Sequence, residues 1–346
     1  MKIVRSDDHR KHFPKGELAG GVFVRPYECP ERWEHIVARL EAVGLTDDMA
    51  PGAFDRALAE KVHDADYVAF LETVWGEWTA EGFEGEVLPT IFPARRMQQR
   101  KPTFIEGKVG YHALAIETAI TEGTWVAATA SAAIADTARK VVTDGARTAF
   151  ALCRPPGHHA AIDMYGGYCF LNNAAIAAQG FLDAGAARVT ILDVDFHHGN
   201  GTQDIFYTRD DVQFISLHGQ PEDAFPHFLG YADETGAGAG EGFNINYPFA
   251  PGTPFSVWGE GLRDALTKVS AYKPDAVVIS LGVDTFEKDP ISFFKLTSDD
   301  FTTYGRWLAG LDLPTLFVME GGYAVAEVGI NTVNVLTGFL DGAGGG

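Results

Sequence analysis

One stretch of the sequence, LDVDFHHGNGTQ, places titratable side chains directly after an apolar run typical of a buried strand. These side chains include Asp193, Asp195 and His197. Burying a charged group is costly unless a counter-charge or a metal compensates it. On an extended chain, side chains alternate between faces, so these three would point the same way. The stretch therefore predicts two carboxylates and one imidazole that converge beside a cation.

Apolar, β-branched runs alternate along the chain with segments of helical periodicity. The predicted strands are residues 2–5, 148–152, 189–194, 212–217, 276–281 and 315–319. The predicted helices are residues 30–43, 65–78, 125–142, 173–184, 256–271, 298–308 and 328–340, with a frayed glycine tail behind the last. This alternation predicts an α/β fold with a doubly wound, mainly parallel sheet. No linker or internal repeat interrupts it, so we expect a single domain over residues 1–346.

Residues 82–110 break this rhythm, because they show no sustained period of either kind and contain three prolines. A long irregular segment inside a compact domain is usually a functional loop or an interface.

The composition narrows the class of protein. The net charge of −20, from 27 basic and 47 acidic residues, should repel nucleic acid. No stretch reaches the roughly 18 apolar residues that a membrane span requires, and the N-terminus lacks a signal-peptide core. We therefore expect a cytoplasmic protein that binds neither nucleic acid nor membrane. Cys29, Cys153 and Cys169 lack CxxC spacing, which favours buried, reduced thiols.

Four predicted strands are followed by residues capable of chemistry. In open α/β sheets, ligands bind beyond the carboxyl ends of the strands. The residues after these strands are His158 and His159, then Asp195 and His197, then Asp284, and finally Tyr323. Each has an alternative structural explanation, such as a helix cap for Asp284, but together they predict one site.

Asp195, His197 and Asp284 form a set of two oxygen ligands and one nitrogen ligand, which leaves coordination positions open for water and substrate. Zn²⁺ is the favoured ion, although Fe²⁺, Co²⁺ or Mn²⁺ would also accept this set. A neutral imidazole of His158 or His159 could take a proton from an attacking water, and the Tyr323 hydroxyl could stabilise an oxyanion.

These residues stand in motifs that resemble those of a known superfamily. RPPGHHA, GGYCFLNNAAIA, ILDVDFHHGNGTQ, ISLHG, SLGVDTFEKDP and VMEGGY resemble the arginase-deacetylase superfamily, on its histone-deacetylase-like side. Nearer the N-terminus, KGELAGG, VHDADYVAFL and TFIEGKVGYHALAIETAI resemble the bacterial acetylpolyamine amidohydrolases more closely. The resemblance implies the arginase-deacetylase fold and a catalytic metal on Asp195, His197 and Asp284.

The resemblance also implies roles for the neighbouring residues. His159 would be the general base and acid, His158 would assist electrostatically, and Tyr323 would stabilise the tetrahedral intermediate. Asp193 matches the carboxylate that orients His158, and Asn200 matches the partner of His159, which is Asp in many relatives. A monovalent cation, usually K⁺, would lie at the positions matching Asp193, Asp195, His197, Ser216 and Leu217.

For the substrate, the resemblance implies acidic residues at the pocket mouth that receive charged amines. The matching positions are Glu17, Glu106 and Glu117, with Gly167, Tyr168 and Phe225 as further substrate-binding residues. Ala19 stands where this branch often has an aromatic residue, which changes one wall of the channel. Residues 82–110 match an insertion that pairs two subunits, so the resemblance implies a homodimer with a narrowed active site.

The leading hypothesis is metal-dependent removal of the acetyl group from acetylated polyamines or diamines such as acetylputrescine, acetylcadaverine or acetylspermidine. A lysine deacetylase acting on acetylated proteins or peptides would use the same machinery with a wider mouth. An arginase-type enzyme would need more carboxylate ligands for its two metals. A non-catalytic polyamine-binding module would need neither His159 nor Tyr323.

Overall fold

Parallel strands form the central sheet of the computed structural model, which describes residues 1–94 and 96–344. Within that part of the chain, the sheet has eight strands in the order β4-β1-β5-β10-β9-β6-β7-β8. They are β1 Lys2–Val4, β4 Asp48–Met49, β5 Thr148–Ala151, β6 Val189–Asp193, β7 Val212–Gly219, β8 Asn244–Phe249, β9 Ala276–Leu281 and β10 Thr315–Met319. β2 Glu17–Ala19 and β3 Val22–Val24 form a separate antiparallel hairpin. The predicted doubly wound α/β fold is confirmed.

Helices cover both faces of the sheet. They are α1 Pro30–Ala42, α2 Arg56–Ala59, α3 Ala65–Ala80, α4 Ile105–Tyr111, α5 Thr124–Thr143, α6 Asn173–Asp183, α7 Asn200–Phe206, α8 Phe255–Tyr272, α9 Ser298–Ala309 and α10 Val325–Ala343, with 3-10 turns at Asp7–Lys11 and Gly238–Gly240. Side chains of α2 to α7 pack on one face, and those of α1 and α8 to α10 pack on the other. Along β6, Val189 and Ile191 join the first layer, whereas Leu192 and Val194 join the second. This alternation explains why the strand reads as a continuous apolar run.

The predicted long helices agree with the observed ones to within three residues at each end. Two local predictions were wrong. β6 ends at Asp193 rather than continuing as an extended strand, so Asp195 and His197 lie in the bend that follows. Residues 82–110 are not wholly irregular, because α4 begins at Ile105. Arg95 in that loop, and Gly345 and Gly346 of the glycine tail, lie outside the described residues.

Among the described residues, no helix combines the length and the apolar character needed to cross a membrane. The expected cytoplasmic location stays a prediction.

Candidate active site and metal centre

The four strands whose ends bear chemistry lie next to one another in the sheet, in the order β5-β10-β9-β6. All of these neighbours pair in parallel, so their carboxyl ends meet at one edge. The loops after them therefore bring the six predicted residues together. They are His158 and His159 after β5, Tyr323 after β10, Asp284 after β9, and Asp195 and His197 after β6.

Asp195, His197 and Asp284 form the candidate metal centre. All three are buried, and one ligand atom from each lies within 4.8 Å of the others. His197 Nδ1 is 2.9 Å from Asp284 Oδ2 and 3.4 Å from Asp195 Oδ1. Backbone N–H groups orient both carboxylates, since Asp284 accepts from Phe196 N at 2.7 Å and Asp195 accepts from Gly321 N at 2.8 Å. The main chain of the loops after β6 and β10 thus holds both carboxylates in place.

The electrostatics of this centre favour a divalent cation. Burial and the neighbouring Asp195 charge raise the pKa of Asp284 to about 8, although His197 opposes this. Burial lowers the pKa of His197, but its bonds to the two carboxylates outweigh burial and raise that pKa to about 10. Two carboxylates this close repel each other unless a proton or a cation lies between them. A divalent cation satisfies all three ligands together, so the donor set fits a metal.

His158 and His159 lie side by side with their rings tilted by 46°, and their hydrogen-bond partners differ in charge. Their ring centroids are 4.1 Å apart. His158 Nδ1 lies 2.9 Å from the Asp193 carboxylate, whereas His159 Nδ1 lies 2.7 Å from the amide oxygen of Asn200. Because each partner atom is an acceptor, both Nδ1 atoms donate, and neither of these bonds uses Nε2. The structure thus places Asp193 and Asn200 where the sequence predicted them.

This difference in partners separates the pKa values of the two imidazoles. Burial lowers the pKa of His158, but the charges of Asp195 and Asp193 outweigh it and raise that pKa to about 10. Burial and the charges of His158 and His197 hold the pKa of His159 well below its ordinary value. His159 is therefore the neutral imidazole, with Nε2 available as a proton acceptor.

Tyr323 lies on a turn that is tied down from two sides. Its backbone N–H donates to Asp289 Oδ2 at 2.7 Å. The guanidinium of Arg32 donates to the carbonyls of Glu320 and Gly322, each at 2.6 Å, and lies 4.9 Å from the centre of the tyrosine ring. Burial raises the pKa of Tyr323 well above its ordinary value, so the hydroxyl keeps its proton and can donate. Sequence reasoning did not identify Arg32 or Asp289.

A cavity of about 280 Å³ leads to this centre. Of the predicted residues, those that line it are Glu17, Ala19, Glu117, His159, Gly167, Tyr168, His197, Phe225 and Tyr323. Residues that the sequence analysis missed also line it, namely Leu18, Tyr27, Phe196, Asp223, Ala224, Ile291 and Phe293. The Phe225 ring is edge-on to His159 at 5.0 Å, and Tyr168 lies 5.6 Å from Tyr323. The walls near the centre are therefore mainly aromatic.

Gly167 sits where the cavity wall touches the histidine pair. It has a φ of +56°, and a Cβ at this position would overlap the His159 ring. Glycine is therefore required both by the backbone conformation and by the close approach of the His159 ring.

Glu17 and Glu117 lie on the wall that contains Tyr168. Glu17 is only 3% exposed, and its carboxylate accepts from the Tyr168 hydroxyl at 3.0 Å and from Tyr27 N at 3.2 Å. Burial raises the pKa of Glu17 to about 7, against the lowering effect of those hydrogen bonds. Glu117 Oε1 accepts from Gly167 N at 2.9 Å. The backbone beside His159 thus fixes the position of the second carboxylate.

Glu106 is the predicted mouth residue that the structure does not bring to the cavity. It lies on α4, where its carboxylate accepts from the Thr90 hydroxyl at 3.0 Å, and it is not among the residues that line the cavity. Within one chain, Glu106 therefore lies on α4, away from the cavity lining. Its substrate-binding role stays a prediction, one that needs a second subunit.

The residues predicted for a monovalent cation include Asp195 and His197 of the metal centre, together with residues of β6 and β7. Asp193 on β6 pairs in register with Ser216 on β7, and both are fully buried. Asp193 Oδ1 accepts from Asp195 N at 3.1 Å, and the Ser216 hydroxyl is 2.8 Å from His218 Nδ1. The carboxylate that contacts His158 is therefore the last residue of β6, the strand whose following loop bears Asp195 and His197.

Comparison with known proteins places this geometry in a family. The model of the histone deacetylase domain matches residues 26–339. The chain belongs to the histone deacetylase domain family. This confirms the resemblance drawn from the motifs. Because the chain also keeps His159, Tyr323 and a candidate metal centre, it is an amidohydrolase of the deacetylase type.

Individual relatives agree over nearly the whole chain. An acetylpolyamine amidohydrolase from Mycoplana ramosa is 57% identical over 338 residues, covering 98% of this chain and 99% of the relative. Acetylpolyamine amidohydrolase 1 from Pseudomonas aeruginosa is 54% identical over 98% of this chain and 99% of its own length. The crystal structure of the acetylpolyamine aminohydrolase from Burkholderia pseudomallei superposes with a TM-score of 0.93 at 41% identity, covering 98% of both chains.

The hydroxyl of Tyr323 is the group whose removal tests the site most directly. We expect Tyr323→Phe to lower kcat for amide hydrolysis by about 10²–10³-fold, because one oxyanion donor is lost. Metal content should not change, since Tyr323 is not among the ligands, and metal analysis of the same sample provides the control. Near-normal turnover with normal metal content would exclude the oxyanion role.

Proposed function

We propose that this protein removes the acetyl group from acetylated polyamines or diamines by metal-dependent hydrolysis. The main observation is the charge of the cavity. Glu17, Glu117 and Asp223 line it, and no lysine or arginine occurs among the described residues that do so. An anionic cavity of about 280 Å³ favours a small cationic substrate. The names of the relatives from Mycoplana and Pseudomonas support the same substrate class.

The chain's own residues provide most of the mechanism. Asp195, His197 and Asp284 would hold a divalent cation, which when bound polarises a carbonyl and makes water more acidic. Nε2 of neutral His159 accepts a proton from the attacking water and then delivers it to the amine nitrogen as the C–N bond breaks. The Tyr323 hydroxyl donates to the oxyanion formed on the acetyl carbon. The products are acetate and the free amine.

We propose Zn²⁺ as the catalytic ion, with Fe²⁺ or Co²⁺ as alternatives that the same ligand types accept. We also propose K⁺ at the monovalent site around Asp193, Asp195, His197, Ser216 and Leu217. The buried carboxylate of Asp193 beside Ser216 supports a cation there. Because Asp193 also orients His158, occupancy of this position would influence the histidine pair.

The function is tested by comparing substrates. We expect kcat/KM of metal-reconstituted protein for acetylputrescine, acetylcadaverine or acetylspermidine to exceed that for an acetyllysine peptide by at least about tenfold, which corresponds to about 1.4 kcal/mol of transition-state binding. Metal-stripped protein serves as the control and should be inactive. A peptide that outperforms all three polyamines would favour the lysine deacetylase instead.

The pKa of Glu17 gives a separate test of cation recognition. With a pKa of about 7, Glu17 is protonated below that pH and ionised above it. The test compares kcat/KM for acetylputrescine with kcat/KM for N-pentylacetamide, in which a methyl group replaces the ammonium. We expect the ratio of the first value to the second to fall by up to about tenfold per pH unit below pH 7, because protonated Glu17 no longer attracts the ammonium. Taking the ratio cancels titrations that affect both substrates, such as that of His159.

Two variants make this pH test specific. Glu17→Gln should flatten the ratio, because the titrating carboxylate is gone. Glu81→Gln, at the exposed end of α3, should behave as the wild type. A wild-type ratio that stays constant from pH 6 to 8, a range of about one unit either side of the Glu17 pKa, would contradict cation recognition by Glu17.

We further propose a homodimer formed through residues 82–110. Large apolar side chains of this loop are exposed, including Ile91 at 57%, Phe92 at 47%, Met97 at 71% and Phe104 at 50%. Phe23 on the adjacent small hairpin is 67% exposed. Exposed apolar patches of this kind are typical of interaction surfaces, and a second copy would also explain how Glu106 reaches a cavity mouth.

Sedimentation analysis tests the dimer. The wild type should sediment as a dimer, and Met97→Glu should shift it toward the monomer, because a charge is then buried in the interface. Val257→Glu, at a 47% exposed position on α8, is the matched control and should leave the dimer intact. A monomeric wild type at micromolar concentration would contradict the proposal.

A further inference from the structure

A second cluster of side chains that could hold a metal includes one member of the histidine pair. It consists of His158, Cys169 and Glu320, which are 2%, 0% and 0% exposed. One donor atom from each lies within 4.8 Å of the others. Among residues 1–94 and 96–344, only this group and the candidate metal centre bring three such donors so close together. The two groups differ in chemistry, because the second contains sulfur.

Glu320 has an unused ligand atom. Its Oε2 accepts from Gly157 N at 2.6 Å and from His158 N at 3.2 Å, whereas its Oε1 is buried without a hydrogen-bond partner. An unpaired carboxylate oxygen away from water is costly, so this position favours a proton or a cation. Glu320 Oε1 is therefore available as a ligand, beside the donor atoms of Cys169 and His158.

Cys169 and His158 supply the other two donors. The Cys169 thiol donates to the Gly167 carbonyl at 3.3 Å, a weak bond that a metal–sulfur bond readily replaces. His158 uses Nδ1 for Asp193, which leaves Nε2 for a ligand. A thiolate in the donor set selects soft ions such as Zn²⁺ or Cd²⁺ over Mg²⁺ or Ca²⁺.

We propose that His158, Cys169 and Glu320 form a second, inhibitory site for a thiophilic divalent cation. On binding, the Cys169 thiol and the His158 imidazolium each release a proton to water, and the sulfur and the freed Nε2 of His158 both bond to the ion. The imidazole that assists His159 is then occupied, so kcat falls while KM is little changed. The site fills only when such ions are in excess, because His158 Nε2 lies 3.8 Å from Asp195 and a catalytic cation would repel a second one.

Cadmium is the probe that tests this site. Protein loaded with one equivalent of Zn²⁺ is titrated with Cd²⁺ while ultraviolet absorption from thiolate-to-cadmium charge transfer and kcat are followed together. Exchange of Cd²⁺ into the catalytic centre gives no such band, because Asp195, His197 and Asp284 contain no sulfur. In the wild type, we expect the absorption band to grow as kcat falls. The Cys169→Ser variant should show no band, and its inhibition should require at least about tenfold more Cd²⁺.

Cys153→Ser is the matched control. Cys153 is also buried, and its thiol donates to a backbone carbonyl at 3.4 Å, but it lies outside the cluster. It should keep both the band and the inhibition, as should Cys29→Ser. If Cys169→Ser does not fold, Glu320→Gln takes its place and should require at least about tenfold more Cd²⁺ for the same band.

Measuring the inhibition requires the proposed hydrolysis, whereas measuring the absorption band does not. The second metal site and the hydrolytic function can therefore be refuted separately. A band that is absent from the wild type, or one that survives in Cys169→Ser, would overturn the second site whatever the substrate.

Discussion

Buried negative charge at the ends of β6 and β9 is the constraint on which the rest of the site depends. Asp193, Asp195 and Asp284 are all fully buried. No fold tolerates three such carboxylates unless each has a compensating partner. His158 compensates Asp193. His197 and backbone N–H groups compensate Asp195 and Asp284, as would the divalent cation that this donor set fits. Those N–H groups belong to loops that follow different strands. The hydrogen bonds that compensate the carboxylates therefore also hold these loops against one another.

A further buried carboxylate, that of Glu28 nearer the N-terminus, also has compensating partners. Glu28 is buried between two guanidiniums, 2.8 Å from Arg32 and 2.8 Å from Arg154. Arg32 then reaches the main chain of the turn that holds Tyr323. Losing one partner of a buried ion pair is far more costly than the net gain from forming it. The cluster therefore serves orientation more than stability, and it ties α1 to the turn that bears the oxyanion donor.

The sequence could predict that the candidate metal-binding and catalytic side chains meet at one edge of the sheet, because the signal for each of them is local. A polar residue directly after a buried strand can be recognised from a few neighbours, and parallel strands bring such ends to one edge. Arg32 and Asp289 were missed because their partners are distant backbone groups; the Arg32 contacts lie 288 and 290 residues away. No pattern near Arg32 reveals a carbonyl that far along the chain.

Other misses have a similar origin. β8 is half buried and polar at alternate positions, so it lacks the apolar run by which the six inner strands were recognised. β4 was missed because it has only two residues, which are too few for a periodic signal. The extended geometry assumed for residues 193–197 was wrong because hydrogen bonds from Asp195 N and His197 N back to side chains two residues earlier bend the chain. These short-range bonds turn Asp195 and His197 toward Asp284.

The charges that line the cavity favour one orientation of the proposed substrate. Asp195 and Asp284 are compensated by His197 and by the cation that their donor set fits. Glu17 and Glu117 also line the cavity, and no lysine or arginine occurs among the described lining residues, so these carboxylates can receive an ammonium. A flexible methylene chain packs on the aromatic lining residues without a polar requirement. A molecule with an amide at one end and an ammonium at the other therefore enters with the acetyl group inward. The reversed orientation would place the ammonium against a divalent cation, where charge repulsion opposes binding.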